Sequence, residues 1–348
     1  VMKNIISPLL LGSLALSGCA TPSGALHSAP SLELTADAET VPVGTTNRDA
    51  ADDPAIWRNA KYPEKSLIIG TDKRAGLYVY GLDGSKKSFL PDGELNNVDL
   101  REVMIHGEMT VLVGASMRND PINAQIGLYR LNPQSAELES IGKYPAGPGE
   151  AYGFCLGQDS GGELFAYMIE KSGFVREITL DFSATTPSAR ITREYKLASQ
   201  PEGCVVDDRT GRLYVGEENA AIWLFDLNAD NFAPQRFANV NGQELVADVE
   251  GLALAPEGNV GGYLVASSQG DNAYVLYDLV TGIYVNRFRL IDGTVDGTSE
   301  TDGIEVILGD FGPEYPDGLM VVQDGENEGG TQNFKLISWA KIKQAIAP

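Results

Sequence analysis

The stretch GRLYVGEENAAIWLFDL, residues 211–227, sets two short apolar runs on either side of a polar Glu-Glu-Asn turn. In AIWLFDL the large side chains alternate with period two, as strands require. One hairpin says little, but five other segments share the plan. They are SLIIGTDKRAGLYVYGL (66–82), TVLVGASMRNDPINAQIGLYRL (110–131), ELFAYMIEKSGFVREITL (163–180), GYLVASSQGDNAYVLYDL (262–279) and GLMVVQDGENEGGTQNFKLISW (318–339). Their first strands end near residues 70, 114, 169, 216, 267 and 322, so they recur every 44 to 55 residues. A four-stranded propeller blade repeats at about that length. The fold expected is all-β, a six-bladed β-propeller spanning residues 37–348.

A second element precedes each hairpin: DDPAIW (52–57), NNVDLREV (96–103), EAYGFCL (150–156), PEGCVVD (201–207), DVEGLAL (248–254) and TDGIEVI (301–307). Each has a polar or acidic head and then an apolar run, the pattern of an innermost blade strand. In an antiparallel pair the head of one strand lies beside the end of the next. Heads and hairpin turns therefore share one face of the disc. The turns bring Lys73, Arg74, Arg118, Glu170, Lys171, Glu217, Glu218, Gln269, Asp271, Asp324 and Asn327 there. The heads add Asp52, Asp53, Asp99, Glu150, Tyr152, Glu202, Asp248, Glu250, Asp302 and Glu305. Cations fall in blades one to three; carboxylates dominate blades four to six and return in blade one.

Carboxylates converging on one channel raise one another's pKa unless a cation neutralises them. The donors are all oxygens, which suits several Ca²⁺ ions, with Mg²⁺ also open, and does not suit Zn²⁺. A solvated acidic rim is the plainer alternative. Lys73, Arg74, Arg118 and Lys171 beside the acids suit an anionic ligand, and Arg and Lys are phosphate-binding groups. The face thus has the parts for metal-assisted hydrolysis of a phosphate ester. Other phosphatase designs fail: Arg209 follows Cys204 one position too close for a Cys-x5-Arg loop, and no Arg-His-Gly, Gly-x-Ser-x-Gly or P-loop motif occurs.

The 348 residues are 43% hydrophobic and carry a net charge of −22. A chain this acidic is a poor partner for nucleic acid. Lys3 and the apolar run Ile5–Leu16 read as a targeting segment over residues 1–18. It ends in Leu16-Ser17-Gly18-Cys19, which resembles a bacterial lipobox, so a lipid on Cys19 is expected, with Ala20 suggesting the outer membrane of a Gram-negative cell. Residues 19–36 read as a tether, most plainly ATPSGALHSAPS from residue 20. Of two histidines, His27 falls in that tether, which leaves His106 alone for any histidine chemistry. Cys155 and Cys204 read as small buried hydrophobes. Cys204 directly follows Gly203 while Cys155 lies two after Gly153, an offset that aims them at opposite faces, so no disulfide is expected.

DAADDPAIW (49–57) and NNVDLR (96–101) resemble the two signature motifs of the β-propeller phytases, the alkaline calcium-dependent phytases of Bacillus. The likeness continues through EGCVVDDRTGRLYVGEENAAIW, DVEGL, ASSQG, GTSETDGIEV and QNFKLISW, over residues 37–340. The resemblance implies a 3-phytase-type phosphomonoesterase that hydrolyses phytate (myo-inositol hexakisphosphate) stepwise, by attack of a calcium-bound water. One phosphate would sit in a cleavage site and a neighbour in an affinity site. Phosphate ligands would fall on Lys73, Arg118, Tyr152 and Lys171, with Arg74 where Bacillus enzymes usually have Lys. Lys73, Arg118, Tyr152, Lys171, Glu202 and Glu217 would form the catalytic set. Calcium would fall on Asp53, Glu202, Glu217, Asp248, Glu250, Asp302 and Gln269, with Asp52 in support. Structural calcium would fall on Glu39, on Asp53 with the carbonyls of Pro54 and Val98, and on Asp324 with Asn327, where the loop Gly325–Thr331 is shorter than in the family. A monomer is expected.

Two other readings stay open. One is a non-catalytic propeller lipoprotein that binds calcium or inositol phosphates. The other is a metal-dependent propeller lactonase, which calls for one metal and an apolar pocket instead of four basic residues.

Overall fold

Period-two sequences have two faces to bury, and in a ring of radial sheets each face meets a neighbouring blade. A computed structural model, describing residues 28–46 and 49–347, shows this arrangement. The described residues form six sheets. The inner strands, in chain order, are Ala51–Trp57, Leu95–Ile105, Ala151–Gln158, Pro201–Asp207, Val249–Glu257 and Ile304–Leu308. Each is followed outward by antiparallel partners. The molecule is the expected six-bladed β-propeller.

Its core is divided among the six blade interfaces. Ala55 and Trp57 point toward blade two and pack with Val98, Val113 and Tyr129, while Ile56, between them, points toward blade six and packs with Phe334 and Leu319. The interface between blades two and three is centred on Phe154, Leu156 and Leu112. Emptying one such position, as in Phe154→Ala, would cost about 3–5 kcal/mol.

Ring closure uses the N-terminal segment. Ala38–Glu39 forms the outer strand of blade six, beside Asn333–Ser338. Just before it, Leu32–Leu34 adds a fifth strand to blade five, parallel to Tyr284–Leu290. That strand lies inside the span 19–36 that reads as tether, and Ala36 is already buried in the core between blades five and six. The C-terminal helix Trp339–Ile346 buries Trp339, Ile342 and Ile346 against the same interface. The targeting segment, the Cys19 lipobox, Ala20 and His27 lie outside the described residues. Among the described residues no helix is long and apolar enough to cross a membrane.

Cys155 and Cys204 form a disulfide, with Cα atoms 5.8 Å apart, contrary to the sequence expectation. The offset between the two strands is real, and its consequence is the reverse of the expected one. Cys155 lies on the face of blade three that looks at blade four, and Cys204 on the face of blade four that looks back. Opposite orientation within successive blades is what brings two side chains together across an interface.

Candidate active site

The same irregularity occurs in five inner strands. The register with the second strand shifts between Ala51 and Pro54, Leu95 and Val98, Ala151 and Phe154, Pro201 and Cys204, and Val249 and Leu252. A β-bulge re-aims the side chains within it. The first bulge residues are Asp52, Asn96, Tyr152, Glu202 and Glu250, and Asp302 holds the equivalent place ahead of Ile304 in blade six. One polar side chain per blade therefore forms a ring at the channel mouth. The second bulge residue is Gly153, Gly203, Gly251 or Gly303 in blades three to six. A Cβ on Gly203 would come within 2.0 Å of the Glu250 carbonyl, and one on Gly153 within 1.9 Å of the Glu202 carbonyl. Glycine lets successive strand heads touch, and Gly303 N–H donates to Asp52 O at 2.9 Å to close the circle.

A second ring lies just outside. The residue after each second strand caps back onto its blade: Lys73 N–H bonds Ala50 O, Arg118 bonds Glu94 O, Lys171 bonds Glu150 O, Glu218 bonds Gln200 O, and Gln269 bonds Asp248 O. Blades one to three thus contribute Lys73, Arg118 and Lys171 to this ring, and blades four and five Glu218 and Gln269.

The cationic half is tightly organised. Lys73 Nζ lies 2.8 Å from Asp49, 2.9 Å from Asp52 and 3.0 Å from Asp302. Burial alone would depress this ammonium, but Asp52, Asp302, Glu202 and Asp49 together hold it well above the ordinary lysine value. Arg74 pairs with Asp49 at 3.1 Å on the exposed rim. Arg118 donates to Asn96 Oδ1 at 2.7 Å and to Glu150 at 2.8 Å. The Tyr152 ring lies 5.5 Å from the Arg118 guanidinium and 5.0 Å from Lys171 Nζ. Burial, then Glu202 and Glu250, push the Tyr152 phenol up, so it stays a donor.

In the acidic half the partners of the glutamates are amides: Asn96 donates to Glu202 and Gln200 to Glu218. Glu202, Glu218 and Glu250 present carboxylate oxygens within 4.8 Å of one another. Burial raises Glu250 well above the usual carboxylate range, and Glu202, Asp302 and Glu218 add to it. Glu218 is pushed up to about 7 by burial, then by Glu202 and Asp248, against a hydrogen bond from Gln200 and the charge of Lys171. Asp52 is raised by burial and by Glu202 and Asp302, although Lys73 opposes it. Gln269 Nε2 donates to Asp302 Oδ1 at 2.7 Å. Glu250 Oε2 is buried with no hydrogen-bond donor among the described residues. A close set of buried, under-satisfied carboxylate oxygens with an amide beside it fits a hard divalent cation that takes oxygen ligands.

Several expected residues lie elsewhere. Glu217 is one residue out of register with the ring: its carboxylate accepts from Ser199 N at 2.6 Å, Ser199 Oγ at 2.7 Å and Trp223 Nε1 at 2.8 Å. Its neighbour Glu218 holds the place expected for it. Asp99 and Glu305 lie farther down their strands, where Asp99 pairs with Arg101 at 2.9 Å and accepts from Leu156 N at 2.8 Å. Asp271 is bound by Arg287 and Arg289. Asp53 accepts from Val98 N–H at 2.9 Å, while Pro54 and Val98 pair with Gly70 and Ala115 in their own blades. Glu39, Asp324 and Asn327 do meet, but around the buried ammonium of Lys335, which also binds Asp296. That position already holds a cation of the chain itself. His106 occupies the two-residue turn between Ile105 and Glu108, at the opposite end of the blade from the rings.

The sequence reading does not single out Asn96 or Lys335, and it places Glu218 on the face without giving it a ligand role. Asn96 follows from counting the bulge position through the repeats, and Glu218 from counting the residue after each second strand. Lys335 sits inside an apolar strand, and nothing in the sequence pattern marks its acidic neighbours.

The family model described as Phytase matches residues 3–348. A 3-phytase of Bacillus subtilis (strain 168) is 40% identical over 328 residues, covering 90% of this chain and 85% of that protein. Among solved structures, one chain of a mitotic checkpoint complex superposes with a TM-score of 0.49 at 14% identity, over 95% of this chain and 89% of that one, and carries no functional weight. The whole-length family match and the close relative agree with the split cation–carboxylate face: this chain belongs to the phytase family.

Proposed function

We propose that the chain hydrolyses the phosphate monoesters of phytate in a calcium-dependent reaction, releasing orthophosphate and lower inositol phosphates. The observation that carries this is the division of the channel mouth. A phosphate held by Lys73, Arg118 and Lys171 would lie against Asp52, Glu202, Glu218, Glu250 and Asp302, and two like-charged sets cannot approach without cations between them.

Glu202, Glu218 and Glu250, with Asp248, Asp302 and Gln269 beside them, are the residues that would hold calcium. Bound calcium would neutralise charge on the phosphate and make an attacking water more acidic. The chain's own groups do the positioning. Arg118 offers a guanidinium already oriented by Asn96 and Glu150, and Lys171 and Tyr152 flank it. Lys73 adds a point charge shared among three carboxylates. Donors fixed before the substrate arrives need no reorganisation in the transition state. Arg74, on the rim, extends the cationic side for a neighbouring phosphate of the same ring.

The disulfide supports folding in an oxidising compartment, in keeping with export and a lipid on Cys19. Fatty-acid labelling of wild type against Cys19→Ser would test that anchor. Phosphate release from phytate, with calcium and with a chelator, tests the activity. No release with calcium present would leave a binding protein, and release indifferent to chelator would refute calcium dependence.

A further inference from the structure

Asn96 is the one carboxamide in the inner ring, fully buried between the two halves of the site. Its Oδ1 accepts from Arg118 Nη1 at 2.7 Å. Its Nδ2 donates to Glu202 Oε1 at 2.7 Å and to Asn97 Oδ1 at 2.8 Å. The amide orientation is forced by its neighbours. Arg118 can only donate, so the atom facing it is the oxygen; the other atom is the NH₂, which Glu202 and Asn97 accept.

We propose that Asn96 is a positioning residue for phytate hydrolysis, one amide that sets the phosphate-binding guanidinium of Arg118 and the carboxylate of Glu202 in fixed relation. This rests on the reading of Arg118 as a phosphate ligand and Glu202 as part of the acidic site. No aspartate or serine makes both bonds: aspartate accepts from Arg118 but turns a second carboxylate oxygen on Glu202, and serine is too short to span the gap. Among the described residues the Arg118 guanidinium has one further hydrogen bond, to Glu150 at 2.8 Å, so losing Asn96 frees it to pivot about that bond. Small displacements of an oriented group carry large losses in rate.

The two halves separate with two variants. Asn96→Ala removes all three hydrogen bonds. Asn96→Asp keeps the acceptor for Arg118 in nearly the same volume and replaces the donor to Glu202 and Asn97 with a second carboxylate oxygen. The measurements are kcat and KM on phytate with calcium, titration calorimetry with inorganic phosphate, and a melting curve. Both variants are expected to lose about tenfold or more in kcat. Asn96→Ala should also show a raised KM and weaker phosphate binding, whereas Asn96→Asp should keep both within about twofold. A folded Asn96→Ala with kcat, KM and phosphate affinity within about twofold of wild type would overturn the proposal. Loss of kcat in both variants with phosphate affinity unchanged in Asn96→Ala would overturn the Arg118 half. If Asn96→Ala does not fold, Asn96→Asp decides: near-wild-type kcat in it refutes the Glu202 link. Wild type that releases no phosphate from phytate would refute the function itself, and phosphate calorimetry, which needs no turnover, would still judge Asn96.

Discussion

Trp223 Nε1 donates to Glu217 Oε2 at 2.8 Å, and this bond faces Glu217 away from the acid cluster that its neighbour Glu218 joins with Glu202 and Glu250. Two adjacent glutamates therefore do different things, and substitution separates them. Glu218→Gln removes a cluster carboxylate without changing shape. It should lower activity on phytate about tenfold to hundredfold and weaken calcium binding, while the chelated protein melts no lower. Glu217→Gln exchanges an acceptor of three hydrogen bonds for a neutral amide. It should lower stability by about 1–3 kcal/mol and leave kcat nearly intact. Activity assays and melting curves on both variants check the assignment; the reverse pattern would return Glu217 to the site.

The Glu217–Glu218 exchange shows how far the sequence could be read. Blade number, strand order and the cation–acid split rest on patterns repeated six times, so errors in one copy do not matter. Single residues have no such protection. With a side-chain period of two, a slip of one position moves a carboxylate to the other side of the strand. Asp99 lies below the ring for a related reason, because the bulge adds a residue between the strand head and the regular ladder, and Glu305 lies inside the regular ladder of blade six, opposite Val321. Comparing the two cysteines within one blade frame hides the Cys155–Cys204 bond, because it crosses between two blades. Lys335 illustrates a third limit: Glu39 and Asp296 reach it from far along the chain, and only the closed ring brings them together.

The Cys155–Cys204 bond closes a loop of 49 residues between the strands that carry Tyr152 and Glu202. Chain-entropy reasoning gives about 4 kcal/mol for a loop of that size. At about 2.1 cal/mol/K per residue over some 300 residues, the melting temperature should fall by roughly 6 °C in Cys155→Ala/Cys204→Ala. Differential scanning calorimetry of that double variant, with and without reductant, is the check. Reductant should shift the wild type and not the variant.

Acid-cluster titration sets the pH behaviour of the chelated protein. Glu218 titrates near 7 in the fold, against an ordinary value of 4.5, and Glu250 and Asp53 are also raised. A carboxyl with a raised folded pKa binds its proton more tightly in the native state. The stability it lends is complete below about 4.5 and is lost as pH climbs through 7. Asp49 and Asp296 are shifted the other way and act only near or below their ordinary value of 3.8. The melting temperature in chelator should therefore decline between pH 5 and pH 8, and calcium should flatten the decline by binding the ionised cluster. Melting curves that do not change with pH in chelator would show that the carboxylates are relaxed without a cation.

Lys335 offers the sharpest test of which acids need a cation from outside. Its ammonium is wholly buried, donates to Asn327 Oδ1 at 2.9 Å and lies 3.3 Å from Asp324, with Glu39 and Asp296 also bound. Burial would depress it, and the carboxylates of Asp296, Glu39 and Asp324 hold it above the ordinary lysine value instead. Lys335→Met keeps the stem and removes the charge, leaving three carboxylates facing one another. Breaking a buried ion pair from one side costs about 3–5 kcal/mol. In chelator the variant should melt well below wild type. Added calcium should recover more stability for the variant than for the wild type, because only the variant has room among these oxygens for an added ion. Equal calcium responses in the two proteins would mean that calcium already binds beside Lys335 in the native chain, and the ammonium would then be a neighbour of that site and not its occupant.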